Sequence, residues 1–174
     1  MVDSVIITGP GFQDEELIYP YYRLKEEGYH VDLATKDGKV VNGKYGVPAR
    51  ATMRTSDLDA NKFDLVILPG GFEAPDRVRL LPEVLEFIRQ MDNQKKLIAA
   101  ICHGPWILIS AGITKGRKMT AYWSIEADVV NSGAEYQHKI PVVIDGHIIT
   151  SPHYDYNGEF MKAVMAHVNE NLKV

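Results

Sequence analysis

The sequence predicts an α/β fold in which a mostly parallel central sheet is covered by helices on both faces and extended by hairpins. Three observations carry that prediction. Short β-branched runs alternate with segments of helical periodicity along the chain. Two of the runs, "FDLVIL" and "LIAAIC", are continuously apolar, as strands buried on both faces are. Both run into loops built on glycine, "PGG" and "HGP", at the end of the strand where ligands collect in such sheets.

Taken in order, "SVIIT" is a first strand. A helix follows with Leu17, Ile18, Tyr21 and Leu24 at helical spacing, closing at Gly28. "HVDLAT" is a second strand. The segment "KDGKVVNGKYG" carries two hairpin-turn dipeptides, Asp37-Gly38 and Asn42-Gly43. "FDLVILPGG" is a buried central strand, and "LPEVLEFIRQMDNQKK" an amphipathic helix with Pro82 in its first turn. "LIAAIC" is the next strand, and "GPWILISAGI" a helix ending near Gly112. "KMTAYW" reads as a short strand, "IEADVVNSGA" as a helix closing at Gly133, and "KIPVVIDGHIITS" as a hairpin around Asp145-Gly146. The final helix places Met161, Val164, Met165, Val168 and Leu172 on one face.

The 174 residues suffice for one domain, spanning 1–174, with a substantial core. Apolar residues make up 45% and charged residues 24%, the ordinary globular range, and the formal charge of -4 argues against nucleic acid or an anionic membrane as a partner. The single cysteine, Cys102, excludes an intramolecular disulfide and fits a reducing compartment. "MVDSVIITG" lacks the basic region and long apolar run of a signal peptide, and no stretch approaches the ~18 apolar residues that span a bilayer. These features together predict a cytoplasmic protein.

The first loop, "GPGFQDEE", invites a phosphate-cradle reading and does not support it. Asp14 stands where a dinucleotide fingerprint needs its third glycine, and Asp14, Glu15 and Glu16 would oppose a pyrophosphate. Acids in a first turn suit the helix dipole, which is the simplest role for Asp14 and Glu15.

"LIAAICHGPW" is the strongest chemical signal. Cys102 stands directly between a buried strand and a helix, the strand-turn-helix arrangement of a nucleophile elbow. The turn forces the side chain to the sheet edge, the following backbone N–H groups can hold an oxyanion, and the helix start favours a thiolate. His103 is placed to act as a base or to supply positive charge. A lone cysteine is more often an inert core residue, but the adjacent His-Gly-Pro at a strand end tips the balance. Gly70 and Gly71 end a neighbouring strand and can offer a second N–H donor. His147 and His153 share strand parity but have no third ligand, so no metal and no cofactor are expected.

At these residues the sequence resembles the PfpI-like family, within the class I glutamine-amidotransferase-like superfamily. The matching segments are "FDLVILPGG", "APDRVRL", "AAICHGP", "LISAGITKGRKMTAY" and "NSGAEY". The resemblance implies a flavodoxin-like three-layer sandwich. It implies a nucleophilic cysteine at Cys102, its histidine at His103, a backbone oxyanion donor at Gly71 and a pocket residue at Tyr122. It further implies a homo-oligomer, dimer or hexamer, in which Asp76 reaches the histidine of a neighbouring subunit. The family's usual glutamate beside the cysteine aligns with Gln13, or, shifted by a helical turn, with Glu16. With neutral Gln13 at that position, a low thiol pKa is expected at Cys102.

The activity implied is that of a glutathione-independent glyoxalase, turning α-oxoaldehydes such as methylglyoxal into hydroxy acids such as lactate, or of a deglycase acting on the corresponding protein adducts. The implied partners are therefore a small carbonyl compound or a glycated protein. An intracellular cysteine peptidase using Cys102, His103 and a neighbour's Asp76 is the second reading. A redox-sensing or chaperone-like stress protein is the third.

Overall fold

The computed structural model describes residues 1–172. Its main sheet has seven strands. In spatial order these are β10 (Val143–Asp145), β11 (Ile148–Ser151), β7 (Leu97–Ile101), β6 (Leu65–Leu68), β1 (Asp3–Ile7), β2 (His30–Thr35) and β5 (Met53–Arg54). All neighbours run parallel except β10, which pairs antiparallel with β11. This is the predicted doubly covered sheet.

Strand alternation divides the core. Val5, Ile7, Val66, Leu68, Ile98 and Ala100 face one side, against α3 (Pro82–Asn93), α4 (Pro105–Ala111) and α5 (Glu126–Asn131). Ile6, Leu65, Ile67, Leu97, Ala99 and Ile101 face the other, against α1 (Asp14–Glu26) and α6 (Asn157–Asn171). Because β6 and β7 pack against helices on both faces, every residue in them is buried, which is why neither shows alternation in the sequence.

Several elements differ from the sequence reading. Asp37-Gly38 forms a turn after β2 and no hairpin; the hairpin is β3 (Val41–Asn42) with β4 (Pro48–Ala49), joined by residues 43–47. The strand read at "KMTAYW" is only β8 (Lys118–Met119), which pairs in parallel with β9 (Glu135–Tyr136) outside the main sheet. The edge strand β5 and the short helix α2 (Glu73–Val78) were not anticipated. Both are too short for periodicity to register.

One acid fixes how the β3–β4 hairpin sits over the sheet edge. Asp14 was expected to stabilise the helix start. Instead its two oxygens accept the backbone N–H groups of Tyr45 at 2.8 Å and Val47 at 2.9 Å, and the Lys44 N–H is held by the Phe12 carbonyl at 2.8 Å. The loop after β1 and the hairpin tip are thereby tied together. Asp14→Ala should cost about 2 kcal/mol, the scale of losing hydrogen bonds to a charged acceptor. It should also speed amide hydrogen exchange at Tyr45 and Val47 while leaving exchange in β6 and β7 unchanged.

Candidate active site

Three loops meet at the carboxyl edge of the sheet, after β1, β6 and β7. Cys102 leaves β7 with φ of 61°, a left-handed conformation rare for a side-chain-bearing residue and typical of a strained elbow. The turn is held from both sides: the Cys102 N–H donates to the Ser151 carbonyl and its own carbonyl accepts from Tyr122, each at 2.9 Å. Space in the elbow is minimal. A Cβ on Gly104 would lie 2.4 Å from the Leu68 carbonyl oxygen, and one on Gly70 would lie 2.6 Å from Cys102 Cβ. The "PGG" and "HGP" glycines therefore let two strand ends and a helix start converge on one sulfur.

The backbone N–H groups of Gly71 and His103 face the Cys102 sulfur and favour its charged form. Two N–H donors thus face the atom on which an adduct would form, as an oxyanion hole requires. His103 Nδ1 lies 3.2 Å from Sγ, and its Nε2 lies 3.3 Å from Ser124 Oγ. The His103 ring stacks on Tyr122 with centroids 5.0 Å apart and meets the edge of Trp106, whose indole N–H donates to Asp128 at 2.8 Å. Burial keeps the imidazole pKa below its ordinary value, against the pull of Asp128 and with the push of Lys44.

The structure separates the two residues between which the alignment was ambiguous. Glu16 enters the site and has no exposed surface: its Oε2 accepts the Gly70 N–H at 2.7 Å, its carboxyl faces the Cys102 side chain, and its Oε1 has no hydrogen-bond partner. Burial pushes its pKa from 4.5 up to about 8. Gln13 lines the pocket mouth, and its amide donates to Glu15 at 2.8 Å. The aligned position is thus one helical turn short of the sulfur.

The low thiol pKa expected for Cys102 is overturned. Burial pushes the thiol up, and the Glu16 carboxylate pushes it further, outweighing the Gly71 and His103 N–H groups. The expectation rested on a neutral neighbour; the neighbour is an acid.

Asp76 lies on the exposed side of α2 and bonds no histidine within the chain among the described residues. His147 and His153 stand at opposite ends of β11: His147 bonds Asp92 at 2.6 Å, while His153 reaches the active-site edge. No group of three or more metal-ligating side chains occurs among the described residues. Nor is any described helix long and apolar enough to cross a membrane.

The pocket over Cys102 holds ≈ 210 Å³. Besides the expected Gln13, Gly71, His103 and Tyr122, its walls include Lys44 and Tyr45 from the hairpin tip, Phe72, His153 and Tyr154. Trp123 stacks on Tyr122 at 4.1 Å and on His153 at 5.6 Å, extending an aromatic shelf outward. Lys44 and Tyr45 escaped the sequence reading because only the folded hairpin carries them across. The signal for it was the Asn42-Gly43 turn.

Residues 4–167 match the DJ-1/PfpI family. The chain belongs to that family. Deglycase PfpI of Pyrococcus furiosus is 44% identical over 162 residues, which are 91% of this chain and 96% of that protein. Protein/nucleic acid deglycase 2 of Escherichia coli is 37% identical over 150 residues, 85% of this chain and 86% of that protein. Among solved structures, Drosophila melanogaster DJ-1beta aligns with a TM-score of 0.88 at 29% identity, covering 94% of this chain and 88% of that one.

The raised pKa of Glu16 has a consequence for stability. Between pH 4.5 and about 8 the unfolded chain has released this proton and the folded one has kept it, so the group's contribution to stability falls as pH rises through that window. Denaturant unfolding from pH 5 to 8 should show the wild type losing stability relative to Glu16→Gln as pH rises. Removing the carboxylate should also lower the pH at which Cys102 reacts with iodoacetamide.

Proposed function

We propose that this protein is a cysteine-dependent enzyme acting on α-oxoaldehydes and on the adducts they form with proteins, with Cys102 as nucleophile and Glu16 as the proton-transfer group. The observation that carries the reading is the buried Glu16 carboxyl against the Cys102 sulfur. An acid whose pKa lies at about 8 is mostly protonated near neutral pH but gives up its proton readily, so it can act both as donor and as acceptor, as an acid-base catalyst needs to. The names of the two deglycase relatives support the substrate class.

With methylglyoxal the chemistry runs in three steps. The Cys102 sulfur adds to the aldehyde carbon, giving a hemithioacetal whose oxygen is held by the Gly71 and His103 N–H groups. Glu16 takes the proton from that carbon and returns one to the adjacent carbon, through an enediol, leaving a thioester. Water cleaves the thioester to lactate and restores the thiol, so the sum is methylglyoxal plus water giving lactate. The pocket, below the ~300 Å³ at which larger ligand sites begin, suits a three-carbon substrate. His103, with Nε2 at Ser124 and Nδ1 at the sulfur, keeps the ring oriented for proton exchange with the thiol. Tyr122 forms the wall on which that ring stacks, and Gln13 closes the mouth.

A peptidase would need His103 oriented by an acid. Within the chain that ring nitrogen meets a hydroxyl, so the peptidase reading depends on Asp76 supplied across the interface of a dimer or hexamer. The exposed position of Asp76 on α2 suits such a role.

The purified protein should convert methylglyoxal to lactate, followed by NMR, and should release glyoxal-derived adducts from protein amines. Cys102→Ala should abolish both reactions. Glu16→Gln should lower kcat by about 10²–10⁴, and Gln13→Ala by less than tenfold. Casein cleavage that requires Cys102 and Asp76, without lactate formation, would replace this reading with the peptidase one.

A further inference from the structure

A cavity larger than the cysteine pocket stands elsewhere on the described chain. It lies at the carboxyl ends of β1 and β2, on the far side of the first loop, and holds ≈ 450 Å³. Its wall comes from three segments: Thr8–Pro10 after β1, the turn Thr35–Val41 after β2, and the end of α2 with the residues that follow it. The Cys102 chemistry uses none of these residues.

Three features bear on what the cavity would hold. Its apolar wall is Val41, Val78, Leu80 and Leu81, and Leu80 is 74% exposed beside it. Two cations at the rim, Lys36 and Lys39, form no ion pair among the described residues. Arg77, also at the rim, is held by Glu73 at 3.0 Å, and Asp37 is the one acid in the lining. Thr8 is the third feature. It belongs to the lining, is 2% exposed, and its hydroxyl finds no hydrogen-bond partner, an uncommon condition for a buried polar atom.

We propose that the cavity formed by Thr8, Lys36, Lys39, Val41, Val78 and Leu81 is a second binding site, for an organic anion with an apolar body. The body lies on the valine and leucine wall and the anionic head between Lys36 and Lys39, within reach of the Thr8 hydroxyl after a small adjustment. Its volume falls in the range of ~300–1,000 Å³ found for metabolite-sized ligands and is about twice that of the cysteine pocket, so the ligand is larger than the three-carbon substrate. Free Lys36 and Lys39 ammoniums accept a carboxylate or a phosphate head alike.

Isothermal titration of the full chain with hexanoate and with hexyl phosphate tests this, with 1-hexanol and inorganic phosphate as controls. At least one of the two anions should bind saturably, and whichever binds tighter identifies the head. Hexanol and inorganic phosphate should each bind at least tenfold more weakly. Lys36→Ala with Lys39→Ala should weaken binding about tenfold or more. Thr8→Val, which removes a hydroxyl without a partner, should weaken binding while leaving the melting temperature of the free protein unchanged or raised. Amide shifts should map to Thr8, residues 36–41 and Leu80. Cys102→Ala should bind as the wild type does, so this site and the cysteine chemistry are tested separately. Absence of saturable binding by both anions, equal binding of hexanol, or unaltered affinity in the double lysine variant would overturn the proposal. So would shifts confined to the Cys102 pocket.

Discussion

The hydrogen bond from the Gly70 N–H to Glu16 Oε2, 2.7 Å long and fully buried, joins the two halves of the site. Glu16 comes from the helix after β1 and Gly70 from the loop after β6. The Cys102 sulfur against which the same carboxyl packs comes from the turn after β7. Those three strands are consecutive neighbours in the parallel sheet. A parallel sheet brings its carboxyl ends to one edge, and adjacent strands lie about 4.8 Å apart, so three loops converge there without further device. The site follows from strand order. Local sequence decides only which side chains stand at the three loop starts.

Convergence of this kind leaves no volume for side chains on the backbone that lines it. Gly71 shows the limit: its φ is 79°, and a Cβ there would stand 2.6 Å from the Gln13 nitrogen and from the Gly11 oxygen. Moving Gly71 to relieve such a contact would withdraw the N–H that faces the sulfur. The same compression strains Cys102 into a positive φ with a side chain present, a conformation that costs of order 1–3 kcal/mol and persists because the Ser151 carbonyl and the Tyr122 N–H hold it from either side.

Much of this was legible in the chain. The buried strands announced themselves as unbroken apolar runs, and the elbow as a cysteine between such a run and a Gly-Pro helix start. What was not legible was anything that depended on where a hairpin or a helix turn points. Gln13 and Glu16 are three residues apart, close to one helical turn, and sequence spacing alone cannot say which of them faces inward. The structure can, because Gln13 precedes the first helical residue while Glu16 lies within the first turn. By sequence Asp14 is a helix-start acid, because acids favour that position generally. Its actual partners, Tyr45 and Val47, lie more than thirty residues on and leave no trace in the local pattern.

The raised thiol pKa shows which electrostatic effect governs the site. A helix start contributes at most ~2 kcal/mol towards a nearby anion, equivalent to about 1.5 pKa units, and α4 is only seven residues long. Burial and a neighbouring carboxylate act in the opposite sense, and each can exceed it. Cys102 and Glu16 therefore cannot both be charged in this enclosure at neutral pH. They hold at most one negative charge between them, and that charge can reside on sulfur only while Glu16 keeps its proton and donates it. Sulfur reactivity is then controlled by the position of one shared proton. Transfer of that proton to Glu16 creates the thiolate and the general acid in the same step, which is the pairing that addition to an aldehyde requires.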